Sequence, residues 1–271
     1  MRHLRIETGC HGDRRRICAI AVLLLSVAGG CAKPETSPVV FFLDGAGWYS
    51  SPGAVEHGLR RAGFKGTFET YSWSAYMGPA HDHLITARSK SVAKGLAKRL
   101  TAARHRDSKG RIDVIGLSAG TAVILGALER LPKGVAVDNV VLFSPSVSAR
   151  HDLRRAMRHV RRNLYATTSR TDGILGAIAV NADGIPGRPA GIAGFVMPHD
   201  KKRTTVAAYR RVINLPWRPS YIAYDWDGGH IAVTNWRFVE AVIAPRLLTP
   251  KPYPLDRSIA ELVTARRGGA S

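Results

Sequence analysis

Cysteine is scarce in this chain: there are three among 271 residues, at positions 10, 18 and 31. All three precede the main body, which therefore has no disulfide to form and must be held by its core. Acidic residues are also few, 20 Asp and Glu against 40 Lys and Arg, for a formal charge of +20. Such an imbalance raises acidic partners, nucleic acid among them. Aromatic residues make up only 7% and do not interleave with the basic clusters RHDLRRAMRHVRR (150–162) and DKKRTT (200–205). A groove that stacks single-stranded bases needs that interleaving, and no nucleic-acid-binding motif is present. A solvated basic surface with no nucleic acid partner is the expected reading.

Long hydrophobic runs are missing as well. The longest, ICAIAVLLLSVA (17–28), has 12 residues, whereas a spanning helix needs about 20. Arg14, Arg15 and Arg16 precede it and Gly29-Gly30-Cys31 follow. A positive start, a short apolar stretch and small residues before a break describe an export signal. The ending VAGGCA resembles the lipobox of bacterial lipoproteins, in which the cysteine becomes the lipidated first residue. Ala28 stands where that motif most often has leucine. Cleavage before Cys31 removes five arginines and two acids and leaves a charge of +17. The expectation is a signal peptide over 1–30, a linker over 31–38 carrying a lipidated Cys31, and attachment to a membrane of the cell envelope. A plain signal peptide, giving a periplasmic or secreted protein, is the alternative.

What remains is long enough for one large core. Apolar strand-like runs alternate with helix-like stretches: VVFFLDG (39–45), a helix near 53–62, GTFETYSW (66–73), a helix near 84–104, IDVIGLS (112–118), a helix over 119–131, NVVLFSP (139–145), a helix near 151–161 and NLYATTS (163–169). Alternation of this kind predicts crossover units and a mostly parallel sheet with helices on both faces. In the long helix Val92, Leu96 and Leu100 recur every four residues while Arg88, Lys94, Lys98 and Arg99 take other faces, as on a helix that covers one side of a sheet. Residues 173–198 are apolar and glycine-rich without a clear period. Order returns with RRVINLPW (210–217), a strand-like YIAYDW (221–226) and a helix near 235–247, and PKPYP (250–254) is read as closing a domain of 39–250, with a tail over 251–271.

The chemistry concentrates in GLSAG (116–120), which fits G-x-S-x-G at the end of a buried strand and the start of a small-residue helix. By itself such a pentapeptide arises by chance in about one sequence in ten of this length. The strand-to-helix context is what a nucleophile elbow requires: the turn strains the serine backbone, and flanking glycines let strand and helix approach. The alternative is a packing turn whose serine caps the helix.

A serine hydroxyl needs a base and an orienting acid to attack at neutral pH. His230, in Gly228-Gly229-His230 just before the last helix, is the candidate base, while His57, His105, His151 and His159 lie on charge-rich stretches and read as solvated. Asp172, in SRTDG beyond the strand 163–169, is the candidate acid, with Asp225 and Asp227 as rivals. His81 and His83 flank Asp82 in AHDHL, but residues two apart rarely share a metal and no third ligand is evident. No metal and no cofactor are expected.

With GLSAG, SRTDG, GGH and LDGAGW (43–48) in hand, the sequence resembles the α/β-hydrolase superfamily over about Val39 to Leu248. The chain order Ser118, Asp172, His230 is that of the family. The resemblance implies an α/β-hydrolase fold, a Ser-His-Asp triad and an oxyanion hole from the main-chain N–H groups of Ala46 and Ala119. Many members have His-Gly where this chain has Asp44-Gly45, and a carboxylate there disfavours a developing anion unless it points away. The activity implied is that of a serine esterase or lipase on a small ester or lipid-like substrate. The alternative is an envelope lipoprotein that keeps the fold as a binding module. Walls or lids for a pocket are sought in 173–198 and in 71–84, with Ile174, Leu175 and Ile178 expected to meet the acyl group; the same three also form one helical face, which fits a core helix equally.

Overall fold

The computed structural model describes residues 37–47, 51–75, 77–200, 202–249 and 256–268. The chain divides into 1–35 and 36–271, and all described residues belong to the second unit. The signal segment 1–30, Cys31 and Trp48 lie outside them. No helix among the described residues is long and apolar enough to cross a membrane.

Six strands form one sheet: β1 (Val39–Leu43), β2 (Thr67–Thr70), β3 (Ile112–Leu117), β4 (Asn139–Phe143), β5 (Leu164–Thr168) and β6 (Val212–Pro216). Every pairing is parallel, in the order β2-β1-β3-β4-β5-β6. The chain thus starts near one side, steps outward to β2, then crosses back over β1 and runs to the other edge. Strands β3, β4 and β5 are buried along their whole length, which is why they read as continuous apolar runs rather than alternating ones.

The two faces of the sheet nonetheless sort by the two-residue period of a strand. Phe41, Leu43, Val114, Val140, Leu142, Leu164 and Ala166 face one layer, with Leu96 and Leu100 of the helix Lys90–Arg106 and Val123, Ile124 and Leu128 of the helix Gly120–Leu128. Val40, Phe42, Ile115, Leu117, Val141, Phe143 and Tyr165 face the other, with Val55 and Leu59 of the helix Ser51–Arg61, and with Trp226, Phe238 and Ile243. Each fully buried side chain of this size contributes about 1.5–3 kcal/mol relative to exposure. A wholly parallel six-stranded sheet with helices packed on both faces fits the expected α/β-hydrolase fold.

Several local expectations change. The helix expected near 84–104 begins only at Lys90, because Asp82 to Thr86 form a wide π-type turn. The helix near 151–161 shrinks to Arg154–Met157. YIAYDW is no strand: Pro219–Tyr224 is a 3-10 turn that ends with Asp225 left-handed at φ 62°. Tyr221 stacks on Trp226, with ring centroids 5.6 Å apart, and Trp226 packs on Phe238 at 4.6 Å. The aromatics that suggested a strand are used to fill a core. Ile259 and Ala260, at the start of the helix Ile259–Gly268, are buried in the core, so part of the expected tail contributes to the domain's own packing.

Candidate active site

The β3 strand ends at Leu117, and Ser118 turns the chain at φ 51°, a left-handed conformation that costs a non-glycine residue energy. The glycines around it are required by distance. A Cβ on Gly116 would lie 2.5 Å from Ile124 Cδ1, and one on Gly120 would lie 2.5 Å from the carbonyl oxygen of Asp44. Strand and helix are therefore closer at this turn than side chains allow. The Ser118 N–H donates to the Phe143 carbonyl at 2.9 Å, Thr121 N–H donates to the Ser118 carbonyl at 3.1 Å, and the Thr121 hydroxyl donates to the same carbonyl. Ser144, at the end of β4, is also left-handed at φ 42° and buried, but only Ser118 lines the cavity described below.

Asp172 follows β5 and caps the short helix Gly173–Ala177, its Oδ1 accepting from Leu175 N–H at 2.9 Å. Its Oδ2 lies 2.8 Å from His230 Nδ1. Both residues are buried, so this contact is shielded from solvent screening. Gly228 explains how the histidine loop gets so near: it has φ 94°, and a Cβ there would lie 2.4 Å from Thr171 Oγ1. The loop is fixed by Gly229, whose N–H donates to Asp227 Oδ1 at 2.7 Å and whose carbonyl accepts from Trp226 Nε1 at 3.1 Å. The rival acids are spent elsewhere: Asp227 on Gly229, and Asp225 on Arg237 at 3.5 Å.

A cavity of about 280 Å³ opens at this point, lined by Ser118 and His230, by Ala46, by Pro79, Ala80, His83 and Leu84, and by Ile174, Leu175, Ile178, Ala179 and Val180. The structure thus brings Ser118, His230, Ala46 and the three expected wall residues to one cavity, with Asp172 behind His230. Leu175 is fully buried while Ile174 is half exposed at the rim, so one face of this short helix serves both core and wall. Both segments proposed as lids, 71–84 and 173–198, contribute lining residues.

Among the described residues, the N–H groups of Ala46 and Ala119 meet no acceptor. Asp44 accepts from Gly45 N–H at 2.9 Å through its own Oδ1. Burial pushes its pKa up to about 6, against the lowering effect of that hydrogen bond, and its side chain is not among the residues that line the cavity.

His83 falls within 71–84, the stretch sought as a wall or lid, but sequence reasoning assigned it no individual role beyond a metal pairing with His81 that lacked a third ligand. No cluster of three metal-ligating side chains exists among the described residues. Asp82 is buried and accepts from Ala75 N–H at 2.9 Å and from the Ser74 hydroxyl. His151, expected in solvent, is instead mostly buried between Asp183 at 2.9 Å and Glu129 at 3.4 Å.

No protein-family model matches the chain, and no curated protein matches it. Among solved structures, an esterase from Pyrococcus furiosus is 14% identical over 73% of this chain and 77% of that one, with a TM-score of 0.45. A cutinase-like protein from a Cryptococcus species is 12% identical over 77% and 91%, with a TM-score of 0.43. A poly(3-hydroxybutyrate) depolymerase from Bordetella parapertussis is 12% identical over 81% and 82%, with a TM-score of 0.46. The functional reading rests on the site's own geometry.

Proposed function

We propose that the protein is a serine hydrolase that cleaves esters of small apolar acyl groups. The observation that carries this reading is the buried 2.8 Å contact of Asp172 with His230, beside a strained Ser118 that lines the same apolar cavity as His230. Asp172 occupies Nδ1 and leaves Nε2 of His230 to act as base. Ser118 Oγ attacks the ester carbonyl carbon as His230 takes its proton. The negative charge on the carbonyl oxygen is met by the N–H groups of Ala46 and Ala119, which act best where they need not reorganise. The C–O bond then breaks, the departing alcohol takes the proton from His230, and an acyl-Ser118 remains. Water, giving its proton to His230, attacks that acyl carbon; Ser118 regains a proton and the carboxylic acid leaves.

The size of the cavity supports a small acyl group, since about 280 Å³ falls just below the roughly 300–1,000 Å³ of pockets for drug-sized ligands. Cell-envelope attachment belongs to the same proposal and rests on the sequence alone: a signal over 1–30, a lipid on Cys31 and a hydrolase domain from 39 onward. Globomycin-sensitive processing that disappears in Cys31→Ala is the expected result there, and soluble periplasmic protein overturns it. For the activity, a fluorophosphonate probe should label the wild type and leave Ser118→Ala unlabelled. Folded wild-type protein that takes no label overturns the hydrolase reading in favour of a binding module.

A further inference from the structure

Two stretches of chain far apart in sequence line the cavity, 79–84 and 174–180, and His83 joins them. Its Nε2 lies 2.9 Å from the carbonyl oxygen of Val180, across 97 residues. A carbonyl only accepts, so Nε2 carries the hydrogen. The imidazole is delivered to this contact by a turn that is itself anchored. The π-type turn begins at Asp82, whose buried carboxylate is held by Ser74 and Ala75, and such turns in helices often mark functional positions. The base of the same segment cannot retreat toward the Ala46 loop, because a Cβ on Gly47 would already lie 2.8 Å from Pro79 Cγ. One wall is therefore fixed, and the other is drawn to it by His83.

We propose that His83 is a positioning residue that sets the width of the cavity and so the longest acyl chain it accepts. Within the reaction proposed above this makes His83 a determinant of substrate specificity; the clasp itself does not depend on that reading. Burial holds the His83 pKa below its usual value, with Arg88 and His230 adding to the effect and the Val180 carbonyl and Asp183 opposing it. The clasp is then a neutral hydrogen bond that adds no charge to an apolar wall. Beyond Val180, Arg88 holds the Asn181 carbonyl at 2.7 Å and the Ala182 carbonyl at 3.1 Å. These bonds do not involve His83, so removing the clasp frees the wall at 178–180, while Leu175 on one side and the loop at 181–182 on the other stay in place.

The test compares wild type, His83→Leu and His83→Gln, whose amide nitrogen reaches about as far as Nε2. Steady-state kinetics on p-nitrophenyl acetate, butyrate and octanoate give the length profile, and amide hydrogen exchange over 174–182 reads the clasp without any turnover. In His83→Leu the ratio of kcat/KM for octanoate over butyrate should rise about tenfold, with exchange at the wall faster by a similar factor. His83→Gln should restore both. An unchanged profile and exchange in His83→Leu overturn the proposal, as does His83→Gln behaving like leucine, or a uniform loss on all esters with a lowered Tm. If the leucine variant does not fold, His83→Asn, too short to reach Val180, takes its place. A wild type that turns over no ester counts against the hydrolase reading, and the exchange comparison still decides whether His83 clasps the walls.

Discussion

His230 Nδ1 and Asp172 Oδ2 are 2.8 Å apart although 58 residues separate them in the chain. The contact depends on Gly228, which alone lets the loop before His230 lie against Thr171, and on the helix cap that orients the carboxylate through Leu175 N–H.

Asp172→Asn should lower kcat by about four orders of magnitude, because an amide offers His230 the wrong partner and favours the wrong tautomer. Its remaining oxygen still caps Leu175, so the Tm should stay close to wild type. Asp225→Asn and Asp227→Asn should keep kcat. Severe loss in either of those, with a mild Asp172→Asn, would mean that the acid is elsewhere.

Ile174 and Leu175 should separate by stability. Leu175→Asp puts a carboxylate at a fully buried site and should collapse the Tm and the turnover of every ester together. Ile174→Asp, at the half-exposed rim, should spare the Tm and depress turnover of longer acyl esters more than of acetate. Equal Tm values for the two variants would remove the distinction between core and wall.

Gly120→Ala places a methyl 2.5 Å from the Asp44 carbonyl oxygen and should cost about 1–3 kcal/mol by overpacking. Gly176→Ala meets nothing within 4 Å and should be neutral or slightly stabilising. Urea unfolding of both variants checks the contrast, and a stable Gly120→Ala would show that the elbow has room to relax.

His151 carries a pH dependence. Burial alone would lower its pKa, but Asp183 and Glu129 raise it to about 9. A histidine whose folded pKa lies above its unfolded value of about 6.5 contributes stability that is complete below that value and lost as pH rises through the folded pKa. The stability gap between wild type and His151→Gln should therefore shrink from about pH 6.5 to 9, followed by denaturant unfolding across that window. A gap that is constant with pH rules out the charged pairing.

Some of this site can be read without coordinates, because its signals are local. The run IDVIGL must be buried, GLSAG must turn, and a small-residue helix must follow; steric demands among neighbours in sequence suffice for each. Asp172 and His230 were legible by position, each just beyond an apolar segment near the sheet's end. The aromatics of YIAYDW misled because a period of two and a stack of rings on Phe238 draw on the same residue types. His151 misled for a similar reason: a basic stretch reads as solvated until Asp183 and Glu129 arrive from elsewhere.

The sequence alone determined the alternation of strands and helices, the serine turn and the chain order of Ser118, Asp172 and His230, since backbone sterics and apolar burial act over a few residues. Only the tertiary structure decided which aspartate meets His230, that Leu175 is core while Ile174 is rim, and that His83 bridges to Val180. Those relationships are single hydrogen bonds and contacts between loops remote in the chain. No periodicity encodes them, because they exist only once the sheet has brought the ends of its strands together.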